Sequence, residues 1–229
     1  MLTPVSELDE KPSGPRSPKG EKTRARLLAA AKVVFERSGF LDARVSDIAE
    51  EAGLSHGSFY HYFDSKEEVF REVVEAVEER LSEPLGSVIL DPESSATPRE
   101  RIGEAIRLHM EAYRAEAKIM GVIEMVSRYD GEVQQSRTRR LENYRTIVAG
   151  SIRQLQNHGL VDAELDPDVA AAVLGSMTSR FPEMWLVEKR VDPDFDFGVA
   201  QLVHMFTNAM GLKDPVRRRA RRLRAPEPG

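Results

Sequence analysis

Residues 44–68 read Arg-Val-Ser-Asp-Ile-Ala-Glu-Glu-Ala-Gly-Leu-Ser-His-Gly-Ser-Phe-Tyr-His-Tyr-Phe-Asp-Ser-Lys-Glu-Glu, and no other stretch of the chain constrains its fold so tightly. The spacing predicts a short amphipathic helix, Ser46 to Ala52, stopped by Gly53, and a second short helix over roughly Gly57 to Phe63. Ile48, Ala49 and Ala52 share one face of the first helix, and Phe59 and Phe63 lie four apart on the second. Ala49 is small where two helices must cross. Gly53 can take the positive φ that ends a helix sharply. Such a pair is a helix-turn-helix, whose second helix can enter the major groove of DNA. Its outward positions, His56, Gly57, Ser58, Tyr60, His61 and Tyr62, are polar or aromatic and free of acids, which suits a surface that meets phosphates and base edges. Ser46 and Ser55 are short donors near helix N-termini, where anions bind.

Net charge is −5, which by itself argues against a nucleic-acid binder. The charge is unevenly placed. From residue 213 to the end, seven Lys/Arg stand against two acids, a net of +5, so the remaining residues sum to −10. A regulator needs only a local basic footprint, and an acidic body limits non-specific binding. There are no cysteines. That excludes disulfides, thiol catalysis and cysteine-rich zinc sites, and fits a cytoplasmic location. No apolar run approaches the roughly 20 residues of a membrane helix, and no signal peptide is visible.

Along Gly53-Leu-Ser55-His-Gly57-Ser58-Phe-Tyr60-His-Tyr62-Phe63 and Asp64-Ser65-Lys66-Glu67-Glu68 the chain resembles the TetR family of transcriptional regulators. Arg26-Leu-Leu-Ala-Ala-Ala-Lys-Val-Val-Phe-Glu-Arg-Ser-Gly-Phe is similar to that family's first helix, and the likeness covers roughly residues 22–75. The resemblance implies a three-helix head on a larger helical body and a pocket for a small effector among helices 5 to 8. It also implies that Tyr60 and Lys66 touch phosphates while His56, Ser58 and His61 face base edges. Thr23 or Arg24 and Ser46 would add phosphate contacts.

The rest of the chain reads as helices as well. Residues 1–20, with Pro4, Pro12, Pro15 and Pro18, are expected to be a disordered arm. Helix 1 should run from Lys22 to Ser38. Ser65 should cap helix 4, with Glu67 and Glu68 in its first turn, where the dipole favours acids. Leu85 to Ala96 reads as a connection. Thr97-Pro98-Arg99-Glu100 is a capping box with proline at the first helical position, so helix 5 should start there. Helices 6 and 7 should cover about 117–127 and 132–158. Asp166-Pro167-Asp168 and Asp192-Pro193-Asp194 announce helices 8 and 9. The expected fold class is therefore all-α. The expected organisation is an arm (1–20), a helix-turn-helix domain (21–66), a ligand-binding and dimerisation domain (67–212, with helix 4 as linker) and a basic disordered tail (213–229).

Gly53-Leu54-Ser55-His56-Gly57 is also a literal G-x-S-x-G, the elbow that presents a nucleophilic serine in α/β-hydrolases. That elbow needs a buried strand before it, and Asp47-Ile-Ala-Glu-Glu-Ala has helical period and adjacent acids, so no enzyme is expected. His56 and His61, five apart, project about 140° apart on a helix and cannot chelate together. Neither a metal nor a cofactor is expected. Met110, Tyr113, Met120, Ile123, Tyr144 and Trp185 are inward apolar positions expected to wall the effector pocket, which favours a small hydrophobic ligand. Met177, Phe181, Val203, Phe206 and Met210 form an apolar stripe expected to join two copies into a homodimer. The expectation is a ligand-responsive repressor on double-stranded operator DNA. The alternative is a helical ligand-binding or interaction protein without DNA recognition.

Overall fold

Side-chain caps start the helices where the local sequence asks for them. A computed structural model describes residues 17–89 and 95–213, with the backbone alone over 83–89. Most of the expected N-terminal arm and nearly all of the basic tail lie outside the described residues. The helices are α1 (Pro18–Asp42), α2 (Val45–Glu51), α3 (His56–Phe59), α4 (Lys66–Ile89), α5 (Pro98–Ala115), α6 (Ala117–Val126), α7 (Gly131–Asn157), α8 (Pro167–Pro182) and α9 (Phe195–Ala209). A π-helical turn, Glu183–Val187, follows α8. No strand occurs among the described residues, so the fold is all-helical.

The capping box before α5 is reciprocal. Thr97 N–H donates to Glu100 Oε2 at 2.7 Å, and Glu100 N–H to Thr97 Oγ1 at 3.2 Å. Asp166 accepts from the N–H groups of Asp168 and Val169 at the start of α8, and Asp194 from Phe197 N–H at the start of α9. Glu68 N–H donates to Ser65 Oγ at 3.1 Å. Each of these bonds satisfies a donor that a helix start leaves free.

Three elements depart from expectation. The recognition helix is a single turn, and residues 60–62 continue as turns rather than helix. α1 runs on past Gly39, which holds φ 72 and interrupts its ladder. α4 passes through Pro84 to Ile89, where a connection was expected from Leu85. Proline forfeits one ladder bond, yet the other donors of a long helix can carry it onward.

The described chain forms two compact units. The first contains residues 1–79 and 116–137; the second, 80–115 and 138–229. α4 and α7 therefore each begin in one unit and end in the other. In the first unit Leu27, Val34, Phe35, Ile48, Phe59, Phe63, Phe70 and Val74 are buried. Phe70 stacks edge-on against Phe35 at 4.9 Å and lies 4.8 Å from Phe40, joining α4 to both sides of the α1 break. α6 packs on α1, and its Ile119, Met120 and Ile123 are core residues there.

In the second unit α5 packs on α8 and α9. His109 of α5 is buried, its ring nitrogens 3.1 Å from the carbonyls of Leu81 and Thr178. Thr178 stands four residues before Pro182, which has no N–H to complete the helical bond. With its proton on Nε2, His109 supplies a donor that α8 lacks. Trp185, on the π-helical turn, stacks between Phe181 and Phe195 at 5.3 and 5.5 Å. Its six-membered ring abuts Gly198, where a Cβ would meet the indole at 2.6 Å. Only glycine permits that approach.

The residues of the expected dimer stripe are covered to different degrees within one chain. Phe206 and Met210 are 4% and 2% exposed within one chain, and Val203 Cγ1 lies 3.7 Å from where Gly103 of α5 would carry a Cβ. Val203, Phe206 and Met210 are thus the inner stripe of α9. Met177 and Phe181 are partly buried, Phe181 against Trp185. The exposed apolar side chains of α8 and α9 are instead Val169, Val173, Phe197 and Met205. Both faces of α9 carry apolar residues, so helical period alone does not tell the inner from the outer.

Candidate nucleic-acid interface

α2 and α3 owe their placement to a small set of buried groups. Ile48 and Ala49 bury the inner face of α2 against α1. Gly53 (φ 64) turns the chain, and Leu54 N–H closes the turn on Ala49 O at 2.8 Å. Ser55 then caps α3: Ser58 N–H donates to Ser55 Oγ at 3.3 Å, and the two hydroxyls are 2.7 Å apart. Phe59 and Phe63, both buried with centroids 5.6 Å apart, pin the recognition segment from below.

The opposite face of that segment is open. Ser55, His56, Gly57, Tyr60 and His61 are exposed, and Ser58 and Tyr62 are partly so. The His56 and Tyr60 rings meet edge-on at 5.3 Å, which steadies two long side chains on one surface. Ser46, at the start of α2, is exposed as well, its hydroxyl 3.2 Å from Asp47 Oδ1. The face offers hydroxyls, imidazoles and a phenol, groups able to donate to phosphate oxygens or to base edges.

The side chains expected to meet phosphates from α1 and α4 also have partners within the head. Arg24 forms an ion pair with Glu72 of α4, and its guanidinium lies 4.9 Å over the Phe63 ring. Burial raises the Glu72 carboxyl above its ordinary range, while the Arg24 charge pulls it back. Thr23 Oγ1 donates to Lys19 O within α1. Lys66 Nζ donates to the carbonyls of Phe40, Leu41 and Ala43. Sequence reasoning assigned Arg24 and Lys66 by position and missed their partners, because Glu72 lies 48 residues from Arg24 and the three carbonyls carry no side-chain signal.

Ser55 does not stand on a nucleophile elbow. It follows a helix and a glycine turn, with its hydroxyl engaged by Ser58. Among the described residues no group of His, Asp and Glu is arranged to hold a metal. No described helix is long and apolar enough to cross a membrane.

The expected effector walls fall in both units. Met120 and Ile123 belong to the α6 core of the first. Met110, Tyr113, Tyr144 and Trp185 are buried in the second. Burial pushes the Tyr144 hydroxyl up to about 12, against the opposing pull of its hydrogen bond to Thr178.

Comparison with known proteins bears on this geometry. Residues 27–73 match the model of bacterial regulatory proteins, tetR family. The HTH-type transcriptional regulator YdgC of Bacillus subtilis is 29% identical over 178 residues, 76% of this chain and 87% of that protein. The fatty acid metabolism regulator protein of B. subtilis is 22% identical over 162 residues, 70% of this chain and 82% of that one. A TetR-family regulator from Mesorhizobium loti superposes with a TM-score of 0.70 at 19% identity, covering 84% of this chain and 98% of its own. B. subtilis FadR in complex with stearoyl-CoA gives 0.66 at 19% identity, over 81% and 98% of the two chains. The match falls on the helices that present the Ser55–Tyr62 face, and the likeness of fold extends over both units: residues 27–73 are a helix-turn-helix segment of the tetR family, on a chain with the fold of TetR-family regulators.

Proposed function

We propose that the protein is a transcriptional repressor that binds a near-palindromic operator as a homodimer and releases it when a small apolar effector binds. The observation that carries the reading is the recognition segment. Phe59 and Phe63 are buried below it, Ser55 caps it, and His56, Tyr60 and His61 stand exposed above. His56, Ser58 and His61 are the proposed base readers. Ser46, Ser55, Gly57, Tyr60 and Tyr62 are the proposed neighbours of the phosphates, which position without specifying.

Two further features support the finer parts. Val169, Val173, Phe197 and Met205 give α8 and α9 an exposed apolar face that a second copy would cover. A two-fold axis would then set two heads on half-sites about one DNA turn apart, or a multiple of it. The second unit buries Met110, Tyr113, Tyr144 and Trp185, which suits an apolar ligand. B. subtilis FadR, similar in fold, is known in complex with stearoyl-CoA. In this reading residues 21–66 recognise DNA and residues 67–212 bind effector and dimerise. An effector acts only if it binds the DNA-incompetent state more tightly.

The test is binding of promoter DNA from the protein's own genomic neighbourhood, followed by fluorescence anisotropy. Salt-dependent binding that His56→Ala redirects at one base position supports the reading. Absence of binding at low salt refutes it in favour of a helical ligand-binding protein without DNA recognition.

A further inference from the structure

Asp130, at the corner between α6 and α7, makes two kinds of bond. Its Oδ1 accepts from the N–H groups of Glu132 and Val133 at 3.0 and 3.1 Å, which caps the start of α7. Its Oδ2 lies 3.2 Å from Arg71 Nη2 of α4, and Arg71 Nη1 lies 2.8 Å from Glu132 Oε2. Burial would raise the Asp130 carboxyl, yet Val133 N–H, Arg71 and Glu132 N–H hold it below its ordinary range. Two turns further along both helices the charges are reversed. Glu78 of α4 is buried, with Arg137 Nε of α7 4.0 Å from its Oε1. Arg137 also pairs with Glu124 and reaches Ser127 Oγ at 3.0 Å, at the end of α6. Arg71 and Glu78 are two turns apart and so share a face of α4. The alternating signs fit one axial register of α4 against α7: a slip of two turns would oppose Arg71 to Arg137, or Glu78 to Asp130. All of these residues lie within the first unit.

We propose that Asp130 is a positioning residue for regulation: by holding Arg71 it makes the first turns of α7 move together with α4 and the DNA-binding head. Its role in regulation rests on the repressor reading above. A cap alone would be a local feature of α7. The same carboxylate instead fastens α7, which continues into the second unit, to the helix that packs Phe70 against Phe35 of α1. A ligand that shifts α7 then pulls on α4 through Arg71. DNA that steadies the head steadies the start of α7 in return, because such coupling is reciprocal.

Two variants separate the tie from the cap. Asparagine at position 130 still accepts the two N–H bonds but brings no charge to Arg71. Arg71→Met keeps the aliphatic stem and removes the guanidinium fork. In amide hydrogen exchange of the free protein, Asp130→Asn should speed residues 70–76 of α4 about tenfold, and Arg71→Met residues 133–137 of α7 by a similar factor, for the loss of one partly buried charge-assisted bond. The double variant should exchange no faster than the faster single variant, since both remove the same interaction. Unchanged exchange of α4 in Asp130→Asn, or factors that multiply in the double variant, would make Asp130 a local cap and overturn the proposal. Promoter DNA should slow exchange at residues 133–137 in the wild type and not in Asp130→Asn, while the two proteins bind that DNA within about threefold of each other. No slowing in the DNA-bound wild type, or equal slowing in both, overturns it as well. If the wild type binds no promoter DNA, the repressor reading falls, and exchange in the free protein alone decides whether the tie exists.

Discussion

His109 offers the sharpest energetic test of the second unit. The ring is buried, and its nitrogens face the carbonyls of Leu81 and Thr178 at 3.1 Å. A neutral imidazole has one N–H. Placed on Nε2, that proton serves Thr178, whose helical donor Pro182 removes. Leu81 stands four residues before Leu85, which has an N–H to give. His109→Leu keeps the volume roughly constant and deletes the donor. The cost should be that of one buried carbonyl left unsatisfied, about 1–3 kcal/mol. Pro182 already has helical angles, φ −62 and ψ −32, so Pro182→Ala restores an N–H aimed at Thr178. On that background His109→Leu should cost about 1 kcal/mol less. Urea denaturation of the wild type, both single variants and the double variant measures the coupling. If His109→Leu costs the same with and without Pro182, the imidazole does not substitute for the missing helical donor and the reasoning fails.

Other expectations follow from the same contacts. Burial, reinforced by the nearby Arg140 charge, holds the His109 pKa below its ordinary 6.5. The unfolded chain then binds the extra proton first, so stability is full above pH 6.5 and falls below it, by at most about 1.4 kcal/mol per pH unit. His109→Gln should flatten that limb in urea titrations between pH 5 and about 7, and an unchanged limb would assign it elsewhere. Gly198→Ala drives a Cβ into the indole of Trp185. It should cost about 1–3 kcal/mol and shift the emission of the only tryptophan; wild-type stability and emission would refute the packing. Met205→Asp, on the exposed face of α9, should give folded monomers in sedimentation. Phe206→Ala, inside the protomer, should instead lower stability by about 3–5 kcal/mol. If Phe206→Ala yields well-folded monomers and Met205→Asp stays dimeric, the two faces of α9 have been exchanged.

Local chemistry made much of this protein legible in its sequence. Thr97, Pro98 and Glu100 mark the start of α5, and Asp166 and Asp194 those of α8 and α9, because a cap acts within three residues of its helix. Gly53 between two short apolar periods is enough to give the turn of the DNA-binding head, and Ser55 to Tyr62 is enough to give its outer face. What the sequence could not determine depends on partners far apart in the chain. Arg24 and Lys66 look like free cations until Glu72 and the carbonyls of Phe40, Leu41 and Ala43 are brought to them. Val203, Phe206 and Met210 were legible as one stripe, but whether it meets α5 or a second copy is decided by packing, since apolar side chains are non-directional. His109 reads as an isolated histidine until α8 brings it a carbonyl that Pro182 cannot serve. Hydrogen bonds within a turn are written in neighbouring residues; those that close the tertiary structure are specified only when the whole chain has chosen which faces to bury.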